Sequence, residues 1–350
     1  MGTGMIAWVL TARRARYTRV SDFLASRSDL ALAALVGDGG VDEVGVGGGS
    51  VIVDVDGVQV FAKRVLLTDR ELAHPRSTAN LFGLPMFCQY GFGLPTFPQY
   101  GFGGPGLNGW RELAANMIVT DGVLAGETES FPLLYHWRVL PGGPPITAGP
   151  ADVEAAVAAL DGSSAVRARL EALLIASHSL VLFSEYIPYP AADWLQEDPA
   201  GKAELVERQL SEIVTFLRGR ELLHLDGHFG NMRTDGERIY LADFGLATSP
   251  RFDLSAAERD FAERNATHDA DCVAMRLVHW LATATCGVPV SAAGAPDARA
   301  EFVRRCADGH IPDGLPPAVA GILTRHAPTA ARTGSFYRRL FSGDLQAQYR

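Results

Sequence analysis

Lys63, Asp226, Asn231 and Asp243 are the residues of this 350-residue chain whose types and spacing could do chemistry together. Three of them follow one another closely. In HLDGHFGN (224–231) Asp226 stands two residues after His224 and Asn231 five residues after Asp226, and Asp243 comes twelve residues later in ADFG. A carboxylate can orient a hydroxyl and take its proton. An amide oxygen and a second carboxylate are hard ligands that suit Mg²⁺. An ammonium can hold phosphate oxygens. Together these meet three of the four needs of phosphoryl transfer from a nucleoside triphosphate; the fourth is a backbone cradle for the phosphates.

The candidate cradle is VGVGGGSV (44–51), in which Gly45, Gly47 and Gly48 let backbone amides approach a phosphate and Ser50 closes the run. A GlyGlyGly stretch is also a plain turn. Its interest comes from Gly45 standing 18 residues before Lys63, on the preceding strand. Lys63 has a distinction of its own. Of 31 Lys and Arg residues only two, Lys63 and Lys202, are lysines, so Lys63 marks a place where a compact ammonium is wanted and a planar guanidinium is not. Lys202 reads as a solvated residue at a helix start.

The elements that must position these groups are legible in outline. Two β-rich runs around Asp56–Gly57 predict a hairpin, with Lys63 near the end of its second strand. A helix is expected over 20–36 and another over 110–123, with Glu112 in its first turn. Residues 131–141 read as a strand, 151–177 as alanine-rich helices, and 180–190 as a buried strand entering a Pro-rich turn. Helices follow at 203–220, 268–285, 298–306 and 317–325, so the pattern changes from strand-rich to helix-rich near residue 188. Between them, 66–109 is a Gly- and Pro-rich insertion. It holds a tandem duplication, LPMFCQYGFG (84–93) and LPTFPQYGFG (94–103), read as a duplication accepted in a surface loop, with a lid or dimer arm as the alternative.

HxDxxxxN followed by a strand and DFG resembles the catalytic core of the protein-kinase-like superfamily. PheAlaLys63 is similar to its lysine strand and LeuPheSerGluTyrIlePro to its inter-lobe hinge; the helix at 268–280 is similar to the one that anchors the catalytic loop, through Asp269 or Asp271. The resemblance spans roughly residues 40–285. It implies a bilobal α+β fold. Residues 1–187 would form an N-lobe of antiparallel sheet plus one main helix, and 188–350 a mostly helical C-lobe, with ATP and Mg²⁺ held between them. It further implies that Lys63 pairs the phosphates, that Asn231 and Asp243 hold the metal, and that backbone near Glu185 and Ile187 meets adenine. Either Glu112 or Glu71 would pair Lys63.

Three departures from the protein-kinase pattern bear on the acceptor. Leu225 stands where an Arg would meet an activating phosphate, His228 where a Lys is usual, and no AlaProGlu follows Asp243. Asp226-x-His228-x-x-Asn231 is instead similar to the aminoglycoside and choline kinase branch. That implies transfer to a small-molecule hydroxyl on an antibiotic, nucleoside or sugar-like metabolite. DFGLA is written more like a protein kinase, so a Ser/Thr protein kinase is the alternative, followed by a nucleotide-binding scaffold without activity. His224 reads as a packed histidine beneath the loop; His228 is open between phosphate contact and loop support.

Bulk properties exclude several classes. The net charge of -9 argues against a nucleic-acid binder. Four scattered cysteines without a CxxC pair suggest neither zinc nor a disulfide framework, and a reducing cytoplasm is expected. No apolar run is long enough to span a membrane, and the short N-terminal one precedes its arginines, unlike a secretory signal. Oligomeric state is not legible.

Overall fold

The hairpin around Asp56–Gly57 forms, with both turn residues at positive φ (53° and 75°), the conformation that two-residue turns between twisted strands require. The computed structural model describes residues 2–37, 49–90, 106–143, 149–290 and 297–349. Strand β1 (Ser50–Val55) pairs antiparallel with β2 (Val58–Leu67), and Lys63 lies in the middle of β2 rather than near its end. The chain is mixed α+β and divides into two compact units. One comprises 1–186 and 243–259, the other 187–242 and 260–350. The segment 243–259, expected with the second half of the chain, groups with the first.

In the first unit, α1 (Gly2–Ala25) and α2 (Asp29–Gly37) replace the single helix expected over 20–36. The short α3 (Asp69–Ala73) and then α4 (Gly109–Ala125) follow β2. Next come β3 (Leu134–Pro141), α5 (Pro150–Ala159), α6 (Ser164–Leu174) and β4 (His178–Glu185). The four strands make one antiparallel sheet in the order β1-β2-β4-β3. Alternation along β2 puts Lys63, Val65 and Leu67 on one face. There Leu67, Leu180 and Leu182 pack with Trp110 and Leu113 of α4, each buried leucine contributing about 2 kcal/mol. The opposite face, with Val60, Ala62 and Phe183, is covered from the side of α1 and α2, whose Val20, Leu24 and Leu32 are buried. Burial on both faces explains why β4 reads as an unbroken apolar run, LeuValLeuPhe. One main helix therefore does not describe this unit: the sheet is flanked by helices on both sides.

Local signals set the helix ends. Asn108 caps α4 by accepting the Trp110 amide at 2.9 Å, and Gly126 ends it in the left-handed conformation. Gly109 makes a close approach: a Cβ there would lie 2.9 Å from the Leu67 side chain, and that buried leucine would have to shift. The described part of the first duplicated decapeptide, 84–90, is not a surface loop: Leu84, Cys88, Gln89 and Tyr90 are buried. The second copy, 94–103, lies outside the described residues.

The second unit begins with β5 (Tyr189–Pro190), α7 (Ala191–Trp194) and α8 (Pro199–Gly219). A three-stranded antiparallel sheet joins β5 to β6 (Met232–Thr234) and β7 (Ile239–Leu241). Helix α9 (Ala256–Arg264) crosses the division in the chain, followed by α10 (His268–Ala284), α11 (Ala298–Ala307) and α12 (Pro317–Phe341). Helix α12 runs well past the expected 325, with Pro328 inside it. No helix among the described residues is long and apolar enough to cross a membrane.

One buried ion pair joins the N-terminal helix to the end of β4. Arg13 is 5% exposed and donates to the Glu185 carboxylate at 2.6 Å and to the carbonyls of Phe131 at 2.9 Å and Glu129 at 3.2 Å. Arg16 reaches the other carboxylate oxygen at 2.5 Å. Removing one partner of a buried pair strands the other charge. Arg16 can answer part of that loss, so Arg13→Ala is expected to destabilise the first unit by about 3 kcal/mol, the low end for such a change. Urea unfolding of the variant against the unaltered protein measures this; a loss below about 1 kcal/mol would mean the pair is not structural.

Candidate functional site

The residues singled out by the sequence fall into two groups, one in each unit. In the first unit Lys63, Glu112 and Asp243 meet. The Lys63 ammonium donates to Glu112 Oε1 at 2.7 Å and to Asp243 Oδ1 at 2.9 Å. Strand alternation aims Lys63 at the face where α4 packs, and α4 carries Glu112 between Arg111 and Leu113. Glu112 is 4% exposed, whereas the Asp243 side chain keeps 40% of its surface. Burial by itself would lower the Lys63 pKa; the Asp243 and Glu112 charges outweigh it and hold the ammonium above its ordinary value. For Glu112, burial raises the carboxyl and Asp243 adds to this, so it sits above its ordinary value although Lys63 pulls the other way.

Glu71, the rival partner, is engaged elsewhere. Its carboxylate accepts from the Thr68 amide and the Gly109 amide, each at 2.8 Å, and from Arg169 at 2.5 Å. It closes a capping box on α3 and ties α4 to α3.

Asp243 itself has φ 62°, a left-handed conformation that costs a non-glycine residue on the order of 1 kcal/mol or more. Lys63 holds it there, and the Gly245 amide donates to its Oδ1 at 3.3 Å. Gly245 also answers a close approach, as a Cβ would sit 3.3 Å from that oxygen and 3.7 Å from Glu112. Phe244 is buried against Phe131, ring centres 6.2 Å apart.

Ser50 is buried at the start of β1, opposite Lys63 in the ladder. Gly45, Gly47 and Gly48 lie outside the described residues. The Glu185 amide donates to the Leu133 carbonyl at 2.8 Å, so that N–H is committed to the strand end. The Ile187 carbonyl, in the second unit, accepts from Arg233 Nε at 3.1 Å.

The second group is built on the loop 224–231. Asn231 donates its side-chain amide to the Asp226 carboxylate at 2.9 Å and to the Asp226 carbonyl at 3.0 Å. His224 is fully buried. Its Nδ1 accepts the Asp226 amide at 3.2 Å and its Nε2 faces the Ala242 carbonyl at 3.0 Å, which assigns the proton to Nε2. It is a scaffold beneath the loop. In His228, Nδ1 accepts the Gly230 amide at 3.0 Å and caps the short 3-10 turn Phe229–Asn231, while Nε2 lies 3.5 Å from Asp226. Loop support is thus a role His228 performs.

Leu225 is the strained point, at φ 65°. Asp269 answers it from the first turn of α10. Its two carboxylate oxygens accept the His224 amide at 2.7 Å and the Leu225 amide at 2.9 Å. Asp271, the other candidate anchor, instead accepts from Thr267 at 2.9 Å and Tyr349 at 2.7 Å.

No group of three or more His, Cys, Asp or Glu side chains suited to a metal occurs among the described residues. A magnesium carried in with a nucleotide asks for less, since phosphate oxygens and waters fill most of its octahedron. Taken each by itself, Asn231 and Asp243 carry an oxygen of the kind such an ion takes. Asn231 spends its NH₂ on Asp226, which assigns its oxygen as the atom offered to a cation. Asp243 is the half-exposed member of its cluster. Sequence reasoning missed the Arg13–Glu185 pair and the buried Arg111–Glu258 pair; partners 172 and 147 residues apart leave no local signal. No family model matches the chain, and no curated protein matches it.

Asp269 gives a pH test. Burial pushes its carboxyl up, but His268, His224 and the two amides more than offset this and hold it below its ordinary value. The stability it contributes is therefore complete above about pH 4 and fades as pH falls through the lower folded-state value. Asp269→Asn puts an NH₂ against a backbone N–H and is expected to cost about 2 kcal/mol at pH 7, with the difference narrowing as the medium is acidified. Urea midpoints of both proteins between pH 3 and 7 check this. A pH-independent difference would separate Asp269 from the titration.

Proposed function

We propose that the protein is an ATP-dependent phosphotransferase of protein-kinase-like, bilobal architecture, acting on a small-molecule hydroxyl. The observation that carries the reading is the cluster in which Lys63 bridges Glu112 and Asp243. A partly buried, charged ammonium between two acids is what a phosphate-holding lysine needs, because Glu112 fixes its direction while Asp243 stays exposed enough to meet a cation. The loop carrying Asp226 and Asn231 supports it further, since both side chains are oriented by hydrogen bonds before any ligand arrives.

In this reading Lys63 holds the α- and β-phosphates. Asp226 orients the acceptor hydroxyl and takes its proton as the oxygen bonds to the γ-phosphorus. The bond from that phosphorus to the bridging oxygen breaks, and ADP leaves. Magnesium, when bound with ATP, offsets phosphate charge; Asn231 through its amide oxygen and Asp243 through its carboxylate are the residues to hold it. His224, Leu225 and Asp269 keep the loop in place without touching substrate. Leu225 and His228 favour a small acceptor: a leucine cannot meet an activating phosphate, and His228 supports the loop.

The test is ADP release by the purified protein with Mg·ATP, run against hydroxylated antibiotics, nucleosides and sugars, with protein acceptors in parallel. Asp226→Asn is expected to lower turnover by about a thousandfold while leaving ATP affinity nearly unchanged. Asp243→Asn is expected to abolish turnover and weaken the magnesium dependence of ATP binding. Near-normal turnover in either variant defeats the mechanism. Labelling of protein with no small molecule consumed moves the assignment to a Ser/Thr protein kinase.

A further inference from the structure

The segment that follows Asp243 is fastened to α4 by a buried ion pair. Arg111 is 1% exposed; its guanidinium donates to Glu258 Oε1 at 2.5 Å and, through Nε, to the Thr78 carbonyl at 2.5 Å. Glu258 is 2% exposed, and its second oxygen accepts the Ser255 amide at 2.8 Å. A second fastening lies beside it. Thr78 donates its amide and its hydroxyl to Asp253, each at 3.1 Å, and the Asp253 amide reaches the Thr78 hydroxyl at 2.8 Å.

Arg111 directly precedes Glu112, and adjacent helical residues point about 100° apart. The two therefore grip opposite ends of one segment. Glu112 holds Asp243 through Lys63, and Arg111 holds Glu258 directly. We infer that Arg111 and Glu258 are positioning residues that keep the 243–259 segment, and with it Asp243, permanently in its working conformation. The inference rests on the phosphotransfer reading for its kinetic part. Segments of this kind are often ordered by an added phosphate that meets an arginine. Here Asp253 and Glu258 are carboxylates built into the segment, and they supply the negative charge without modification. A buried ion pair adds little net stability over an apolar pair of the same volume, so its value is in specifying one arrangement of the segment.

Glu258→Gln keeps the shape and removes the charge. In the full-length protein, amide hydrogen exchange across 243–259 is expected to accelerate about tenfold or more, with exchange in β2 unchanged. At saturating ATP, kcat is expected to fall about tenfold and the KM for magnesium to rise, while the KM for the acceptor stays within about twofold. Glu258→Asp, which keeps the charge, is expected to recover part of kcat. Unchanged exchange in 243–259, or equal acceleration in β2, overturns the tether. A loss of kcat with no change in the magnesium KM overturns the positioning of Asp243. If Glu258→Gln does not fold, Thr78→Ala loosens the Asp253 limb, and the same exchange pattern decides. An unaltered protein that consumes no ATP defeats the phosphotransfer reading and the kinetic part with it; the exchange result judges the tether in either case.

Discussion

One ammonium group holds the candidate site of the first unit together. Lys63 lies 2.7 Å from Glu112 and 2.9 Å from Asp243, two carboxylates that would repel each other without it. Three elements far apart in the chain, β2, α4 and the turn after β7, are tied through that one cation. The constraint suits an ammonium, and the position is one of only two lysines among 31 Lys and Arg residues. A guanidinium carries its donors in a flat fork, whereas an ammonium can point protons at two acids from one atom.

Both loops that carry the candidate chemistry are held in costly backbone conformations. Leu225 and Asp243 take positive φ values of 65° and 62° without being glycine. Each is secured by charge-assisted hydrogen bonds, Leu225 by the Asp269 carboxylate and Asp243 by Lys63. Strain of this kind persists only where the surroundings over-determine it, and it gathers at functional sites. Asp226 is ordered in the same way, its carboxylate by Asn231, its amide by His224 and its second carboxylate oxygen by the approach of His228.

The short-range features were legible because their causes are short-range. Asp56–Gly57 announces its hairpin, and the spacing of His224, Asp226 and Asn231 a single loop. The surface-loop reading of the duplication 84–103 failed over its described part, 84–90, because a Gly- and Pro-rich stretch gives no sign that Leu84, Cys88 and Tyr90 are buried. The same holds for the helix over 20–36, which is two helices covering a sheet face.

The sequence by itself determined which residues could act and which strands and helices carry them. The tertiary structure alone decided the partners: Glu112 rather than Glu71 for Lys63, Asp269 rather than Asp271 for the loop, Arg13 for Glu185 and Arg111 for Glu258. The reason is physical. Turns, caps and periodicity arise from contacts within about four residues. An ion pair arises from which faces are buried together, and a carboxylate gives no sign in the sequence of which distant cation it will meet.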